Sequence, residues 1–146
     1  LLGIDIYDLK EGNDLLDLTS SKTSLKDEVL NINMGTGDDL LWLNDGTYQI
    51  DLGSGNDNVV TLGGDIEIIL GTGKDVVSLT GSKANIVITD YNKAEGDSLK
   101  FISSADVANN FDASFVGGDI LWGEVTIDFL GIDVTEDDII ITEWIV

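Results

Sequence analysis

The segment Gly35-Thr36-Gly37-Asp38-Asp39 is repeated as Gly53-Ser54-Gly55-Asn56-Asp57 and again as Gly71-Thr72-Gly73-Lys74-Asp75. All three segments fit the pattern G-[ST]-G-x-D, and their first glycines are spaced by 18 residues. A fixed period of this kind is typical of a repeat architecture, in which each repeat is a small unit that stacks on its neighbours. Each pentapeptide precedes a short apolar run, which predicts a turn and then a strand in every repeat.

A second turn and a second strand complete each repeat, over residues 44–52, 62–70 and 80–88. Alternate positions of these strands are apolar in every repeat, namely Tyr48, Ile50 and Leu52, then Ile66, Ile68 and Leu70, then Ala84, Ile86 and Ile88. A period of two buries every second side chain, here between two parallel sheets. We therefore predict an all-β fold in which residues 1–88 form a short parallel β-roll, a β-solenoid of 18-residue coils with an irregular first coil.

The repeat ends at Ile88, and a different pattern occupies residues 89–146. Glycines punctuate short alternating runs such as 124–129, which is typical of antiparallel hairpins. An uncovered solenoid end is an aggregation-prone edge. We expect this second region to form a C-terminal antiparallel β cap over the open end of the roll.

The two columns of turns differ in their chemistry. One column carries two glycines and an aspartate at fixed offsets, whereas the other reads Asp45-Gly46-Thr47, Gly63-Gly64-Asp65 and Gly81-Ser82-Lys83, without a constant carboxylate. Glycine permits positive φ angles and close approach of carbonyl oxygens, and aspartate supplies negative charge. The sequence therefore predicts a metal site along one edge of the roll only.

Composition restricts the chemistry further. The chain has no cysteine and no histidine, which excludes disulfides, thiolate nucleophiles, imidazole bases and the usual zinc and iron sites. Its 28 acidic residues against 7 basic ones give a net charge of −21, which argues against nucleic acid as a partner and favours hard cations such as calcium. A solvated acidic surface is the alternative that composition alone leaves open.

Two further classes are disfavoured by the sequence. No catalytic pattern such as G-x-S-x-G, a P-loop or H-E-x-x-H occurs, so we predict no intrinsic enzymatic activity. No apolar run approaches the length of a membrane span, and the N-terminus lacks the pattern of a Sec signal peptide. Because Leu1 is not an initiator methionine, we expect the segment to come from a longer polypeptide.

The three pentapeptides resemble the GGxGxDxUx nonapeptides of RTX (haemolysin-type) proteins, over roughly residues 8–88. The first glycine of that motif is replaced by Met34, Leu52 and Leu70, and Lys74 places a positive charge in the third turn. The resemblance implies Ca²⁺ as the bound ion. It implies side-chain ligands from Asp39, Asp57 and Asp75, with carbonyl ligands from the turns around Gly35, Gly37, Gly53, Gly55, Gly71 and Gly73.

An upstream segment, Gly12-Asn13-Asp14, aligns with Gly55-Asn56-Asp57 but lies 25 residues before Gly37. Asp14 is thus a candidate ligand in a fourth turn at the end of the metal row. The equal alternative is a plain Asx-type turn that opens the roll.

Two C-terminal features add to the resemblance. Residues 89–101 are similar to the segment that commonly follows RTX repeats, with an Asp90-Tyr91 pair and a Gly96-Asp97 turn. Glu143-Trp144-Ile145-Val146 resembles the uncleaved signal of type I secreted proteases and lipases, although a closing strand is the alternative. The resemblance implies a secreted domain, extracellular or at the cell surface, that has a type I exporter as a partner. It would fold on calcium after export and stabilise or carry a larger protein.

Other functions remain as alternatives. The segment could belong to a surface-layer protein or adhesin in which calcium stiffens the roll. It could also be a glycan-binding auxiliary domain of a polysaccharide-modifying enzyme, because Trp42 is expected to point outward and exposed aromatic rings stack on sugars. We expect Trp42 to be covered by the C-terminal segment instead.

Overall fold

A computed structural model of the protein describes residues 6–20, 28–80, 83–103, 114–116, 118–132 and 134–143. These ranges contain β-strands, one short 3₁₀ helix at Glu136–Asp138 and no α-helix, so the predicted all-β class is confirmed. The strands are β1 Ile6–Asp8, β2 Leu15–Asp17, β3 Val29–Asn33, β4 Leu40–Leu43, β5 Thr47–Asp51, β6 Asn58–Thr61, β7 Gly64–Ile69, β8 Val76–Leu79, β9 Lys83–Ile88, β10 Ser98–Ser103, β11 Ser114–Val116, β12 Asp119–Trp122, β13 Glu124–Asp128 and β14 Ile139–Glu143.

The strands form two sheets, between which the chain alternates from β3 to β10. One sheet has the order β1-β3-β5-β7-β9-β13-β12-β11 and the other the order β14-β10-β8-β6-β4-β2. Strands from successive repeats are paired in parallel in both sheets. This topology is compatible with the predicted parallel β-roll.

The core lies between the two sheets and is built from the alternating positions of the sequence. Leu41, Val59, Val77 and Leu99 form one buried column, in register from β4 to β10. Burial of such side chains stabilises the fold by roughly 1.5–3 kcal/mol each. The predicted alternation is therefore the pattern of core packing.

The predicted register fails at one place. Tyr48 pairs with Ile66 at the expected offset, but Ile66 pairs with Ile86 and not with Ala84, so the offset from β7 to β9 is two residues longer. A shift of two residues keeps every side chain on its own face of the sheet, so Ala84, Ile86 and Ile88 remain buried. The extra length lies in the connection between β8 and β9.

The C-terminal region continues both sheets. In one sheet β10 pairs in parallel with β8 and β14 with β10, and in the other β13 pairs in parallel with β9. Antiparallel pairing in the described residues is restricted to β11, β12 and β13. The strands β11, β12 and β13 thus form an antiparallel unit, and β13 also pairs in parallel with β9. That this region caps the open end of the roll stays a prediction. No helix in the described part of the chain is long and apolar enough to cross a membrane.

Glycines allow the repeated turns to stack in direct backbone contact. Ser54 donates its N–H to Gly35 O at 3.0 Å, and Gly55 donates to Thr72 O at 2.9 Å. Gly55 has a φ of 136°, and a Cβ atom there would lie 1.8 Å from Gly37 O. Any side chain at this position would force adjacent turns apart.

We predict that Gly55→Ala lowers the free energy of unfolding by roughly 2–4 kcal/mol, because it combines a backbone clash with a disallowed φ. Gly123→Ala is the matched control, since Gly123 has a φ of 60° and nothing lies within 4 Å of an added Cβ. Its expected cost is about 1–2 kcal/mol. Urea denaturation of both variants in chelator measures the difference. Equal losses would contradict the stacked-turn geometry.

Candidate metal centre

A ladder of aspartate side chains runs along the edge formed by the G-x-D turns. Oδ1 of Asp39 accepts the N–H of Asp14 at 2.7 Å, and Oδ1 of Asp57 accepts the N–H of Asp39 at 2.8 Å. Oδ1 of Asp75 accepts the N–H of Asp57 at 2.9 Å. Each of these three carboxylates is therefore held by the backbone of the preceding coil, and the four predicted aspartates lie in one row.

The second oxygen of each carboxylate in this row has no partner within the described residues. Oδ2 of Asp14, Asp39, Asp57 and Asp75 is buried and accepts no hydrogen bond from the described part of the chain. Asp39, Asp57 and Asp75 are 3%, 0% and 1% exposed. Buried carboxylate oxygens are normally paired or bound to a metal, because isolation from water costs several kcal/mol.

The predicted glycines lie beside this row, on the turns of successive coils. Carbonyl oxygens of the turns approach the glycines of the next coil so closely that added Cβ atoms at Gly35, Gly37, Gly53, Gly55, Gly71 and Gly73 would lie 1.8–2.0 Å from them. The carbonyls of Gly35 and Gly53 already accept an N–H from the following turn at 3.0 Å. A carbonyl oxygen has a second lone pair, so these hydrogen bonds leave one available.

A second, solvent-exposed ladder runs beside the first. Oδ1 of Asn13 accepts the N–H of Asp38 at 2.9 Å, and Oδ1 of Asp38 accepts the N–H of Asn56 at 2.8 Å. Oδ1 of Asn56 accepts the N–H of Lys74 at 3.0 Å. The variable position of the G-x-D turn therefore has a structural role, and its charge differs from coil to coil.

The opposite edge of the coils is held together by neutral groups. Asn44 accepts hydrogen bonds from the Tyr48 hydroxyl and from the N–H of Gly46, and the Thr61 hydroxyl donates to Gly63 O. Asp45 and Asp65 on this edge are exposed. The described residues thus carry a buried carboxylate row on one edge and none on the other.

The ladder extends to two aspartates that the sequence analysis did not identify as part of the row. Oδ1 of Asp97 accepts the N–H of Asp75 at 3.0 Å. Asp90 accepts the N–H groups of Leu70 and Gly71 at 2.7 and 2.8 Å. The Gly96-Asp97 dipeptide was the available signal, but its spacing from Asp75 breaks the period.

Burial changes the acidity of three aspartates along this edge. It raises the pKa of Asp57 to about 6 and that of Asp75 to about 6, and neighbouring carboxylates add to both shifts. The N–H groups that these carboxylates accept act in the opposite direction. Burial likewise raises the pKa of Asp97. In the absence of a cation Asp57 and Asp75 therefore hold their negative charge at a cost.

The donor set fits a hard cation that accepts backbone oxygens. No three acidic side chains converge on one point in the described ranges, so an ion in this row would draw on one or two carboxylates together with turn carbonyls. Calcium takes 6–8 oxygen ligands in flexible geometry, whereas magnesium requires a near-ideal octahedron. The partnerless Oδ2 atoms and the glycine turns thus suit calcium better than magnesium.

Trp42 and the tail complete the predicted features. Trp42 is 43% exposed on the outer face of its sheet, so its ring remains accessible and is not covered as we expected. The tail residues Trp144, Ile145 and Val146 lie outside the described part of the chain, while Glu143 ends β14.

Comparison with protein-family models, with curated proteins and with solved structures gave no match.

The raised pKa values predict a pH dependence in chelator. Carboxyls with a pKa of 3.8 when unfolded and about 6 when folded stabilise the protein below pH 3.8, and this contribution is lost as the pH rises through about 6. We expect the melting temperature to fall across this window. Asp57→Asn keeps an oxygen for the Asp39 N–H but does not titrate, so the fall should be smaller. An identical pH profile for both proteins would contradict the burial of Asp57.

Proposed function

We propose that this chain is a calcium-binding domain of the RTX type, whose coils are completed by Ca²⁺ along the aspartate row. The observation that carries this proposal is the set of buried, partnerless Oδ2 atoms on Asp14, Asp39, Asp57 and Asp75. A purely structural ladder of aspartates would use Oδ1 to accept the backbone N–H and would leave a charged Oδ2 buried without a partner in every coil. A divalent cation gives each of these oxygens a partner and offsets the repulsion between neighbouring carboxylates.

Calcium would thereby act on folding as well as on the folded state. The chain carries a net charge of −21, which opposes compaction, and the row concentrates part of that charge at a buried edge. Because the ligands come from different coils, a site exists only when the coils are stacked, so binding energy becomes folding energy. We propose that the domain folds where calcium is abundant, outside the cell or at its surface.

The export part of the proposal rests on the sequence of the C-terminus. The proposed partner is a type I exporter that engages the last residues, and the proposed role of the domain is to stabilise or carry a larger secreted protein. Calcium-dependent folding suits this route, since a loose acidic chain can be threaded before it meets calcium. Stiffening of a surface-layer protein or adhesin would use the same metal row.

We predict a large increase in melting temperature with millimolar calcium and a much smaller one with magnesium at the same concentration. Each calcium site adds about 2.7 kcal/mol to the free energy of unfolding when the free calcium concentration is about 100 times the Kd of that site. Thermal melts followed by far-UV circular dichroism, with chelator as the reference, make the comparison. The proposal is wrong if rigorous chelation leaves the melt unchanged.

A second prediction tests the position of the ions. Asp57→Asn should weaken calcium binding by tenfold or more, and by more than the same change at Asp75, because Asp57 has a row aspartate on each side whereas Asp75 is the last with a partnerless Oδ2. Asp65→Asn is the matched control, since Asp65 is an exposed carboxylate on the opposite edge. Isothermal titration with calcium measures both variants. Equal losses at Asp57 and Asp65 would show that the ions do not lie along the row.

A further inference from the structure

The last step of the aspartate ladder is longer in sequence than the two regular steps that precede it. The hydrogen bonds from Asp39 to Asp57 and from Asp57 to Asp75 each span 18 residues, whereas the bond from Asp75 to Asp97 spans 22. The additional residues fold into a tight turn, in which Asp97 donates its N–H to Asn92 O at 3.3 Å. This turn brings the backbone of Asn92 against the Asp97 carboxylate.

Asp97 consequently differs from the other members of the row in how its oxygens are used. Oδ1 accepts the N–H of Asp75 at 3.0 Å, as in every coil, but Oδ2 accepts the N–H of Asn92 at 2.8 Å. Asp97 is only 6% exposed, and the Tyr91 hydroxyl donates to its carbonyl at 2.9 Å. Its buried carboxylate is therefore satisfied without a cation, unlike those of Asp57 and Asp75.

The turn before Asp97 also lacks the glycines of the repeated turns. Aligned on the aspartate, Lys93 and Glu95 stand where Gly71 and Gly73 stand in the preceding coil. Lys74 from that coil packs against the new turn, because its Cγ lies 3.2 Å from a Cβ built on Gly96. The aliphatic part of the exposed Lys74 side chain thus lies against the turn that replaces the glycine turn.

Asp90 closes the same end from the other strand of the coil. Its two carboxylate oxygens accept the N–H groups of Leu70 and Gly71, which begin the last glycine turn. Together, Asp90 and Asp97 satisfy four backbone N–H groups with four carboxylate oxygens. Backbone donors here do what calcium does elsewhere in the proposed row.

We propose that Asp90 and Asp97 terminate the metal row, so that Asp75 is its last ligand and no ion is bound on the C-terminal side of Asp75. This inference rests on the proposed calcium function. Asp97 is then a positioning residue, which orients the turn of Asp75 by accepting the Asp75 N–H. The number of bound ions is set by the turns that contain Asp14, Asp39, Asp57 and Asp75.

Calcium stoichiometry and affinity of the full 146-residue chain test this assignment. Asp97→Asn keeps an oxygen for the Asp75 N–H and removes the charge, so we expect the same number of bound ions as in the unmodified protein. Asp97→Ala removes that oxygen, so the ion count should be kept while the weakest affinity falls by about 10–100-fold. Asp75→Asn, the matched comparison, should bind at least one ion fewer. Equilibrium dialysis with ⁴⁵Ca measures the count and titration calorimetry the affinities.

The outcomes separate this inference from the function on which it rests. If Asp97→Asn loses as many ions as Asp75→Asn, Asp97 is a ligand and does not terminate the metal row, while the proposed calcium binding stands. If the unmodified protein binds no calcium, the proposed function fails and the inference fails with it. Asp90→Asn provides a second variant should Asp97→Asn not fold, and a loss of an ion there would equally overturn the proposal.

Discussion

The structure depends on the hydrogen bond between each row aspartate and the backbone of the coil before it. This bond fixes the register of one turn on the next and places consecutive carboxylates at the spacing of neighbouring strands, about 4.8 Å. Using Oδ1 for this purpose leaves Oδ2 of Asp39, Asp57 and Asp75 buried and, within the described residues, without a hydrogen bond. The contact that orders the coils is therefore the one that creates a row of buried carboxylates, for which we propose a cation as partner.

The two edges of the coils show how differently the same chain reversal can be stabilised. On the edge of Asn44 and Thr61, neutral side chains satisfy the turn backbone within each coil, and the acidic residues point to solvent. On the aspartate edge, carboxylates of the adjacent coil accept backbone N–H groups of the turns. The second oxygen of the Asp39, Asp57 and Asp75 carboxylates accepts no hydrogen bond from the described residues. Stability of the first edge is intrinsic to the chain, whereas that of the second is proposed to depend on calcium.

Much of this architecture could be predicted from the sequence, because a strict period constrains both turns and core. The spacing of Gly35, Gly53 and Gly71 predicted the stacked coils, and alternation predicted the buried columns. Prediction failed where the period did. The Ile66–Ile86 register depends on an insertion between β8 and β9, and the parallel addition of β10 and β14 has no repeated signal.

The candidate site was predictable in its residues and not in its hydrogen bonds. The pattern identified Asp39, Asp57 and Asp75. Which carboxylate oxygen accepts the backbone N–H and which one is left without a hydrogen bond depends on how the coils are stacked. Asp90 and Asp97 were missed because they come after the repeat, with different spacing and without its glycines. Residues that end a periodic array are defined by what they pack against, which a single period does not encode.

The most direct test of the account is a crystal structure of the chain grown with calcium, using anomalous scattering to locate the ions. The account predicts ions along the edge of Asp39, Asp57 and Asp75, with Oδ2 atoms and turn carbonyls at about 2.3–2.6 Å from the metal. It predicts none between Asp75 and Asp97. Oδ2 atoms that remain dry and unliganded in the presence of calcium, or that contact only water, would contradict it.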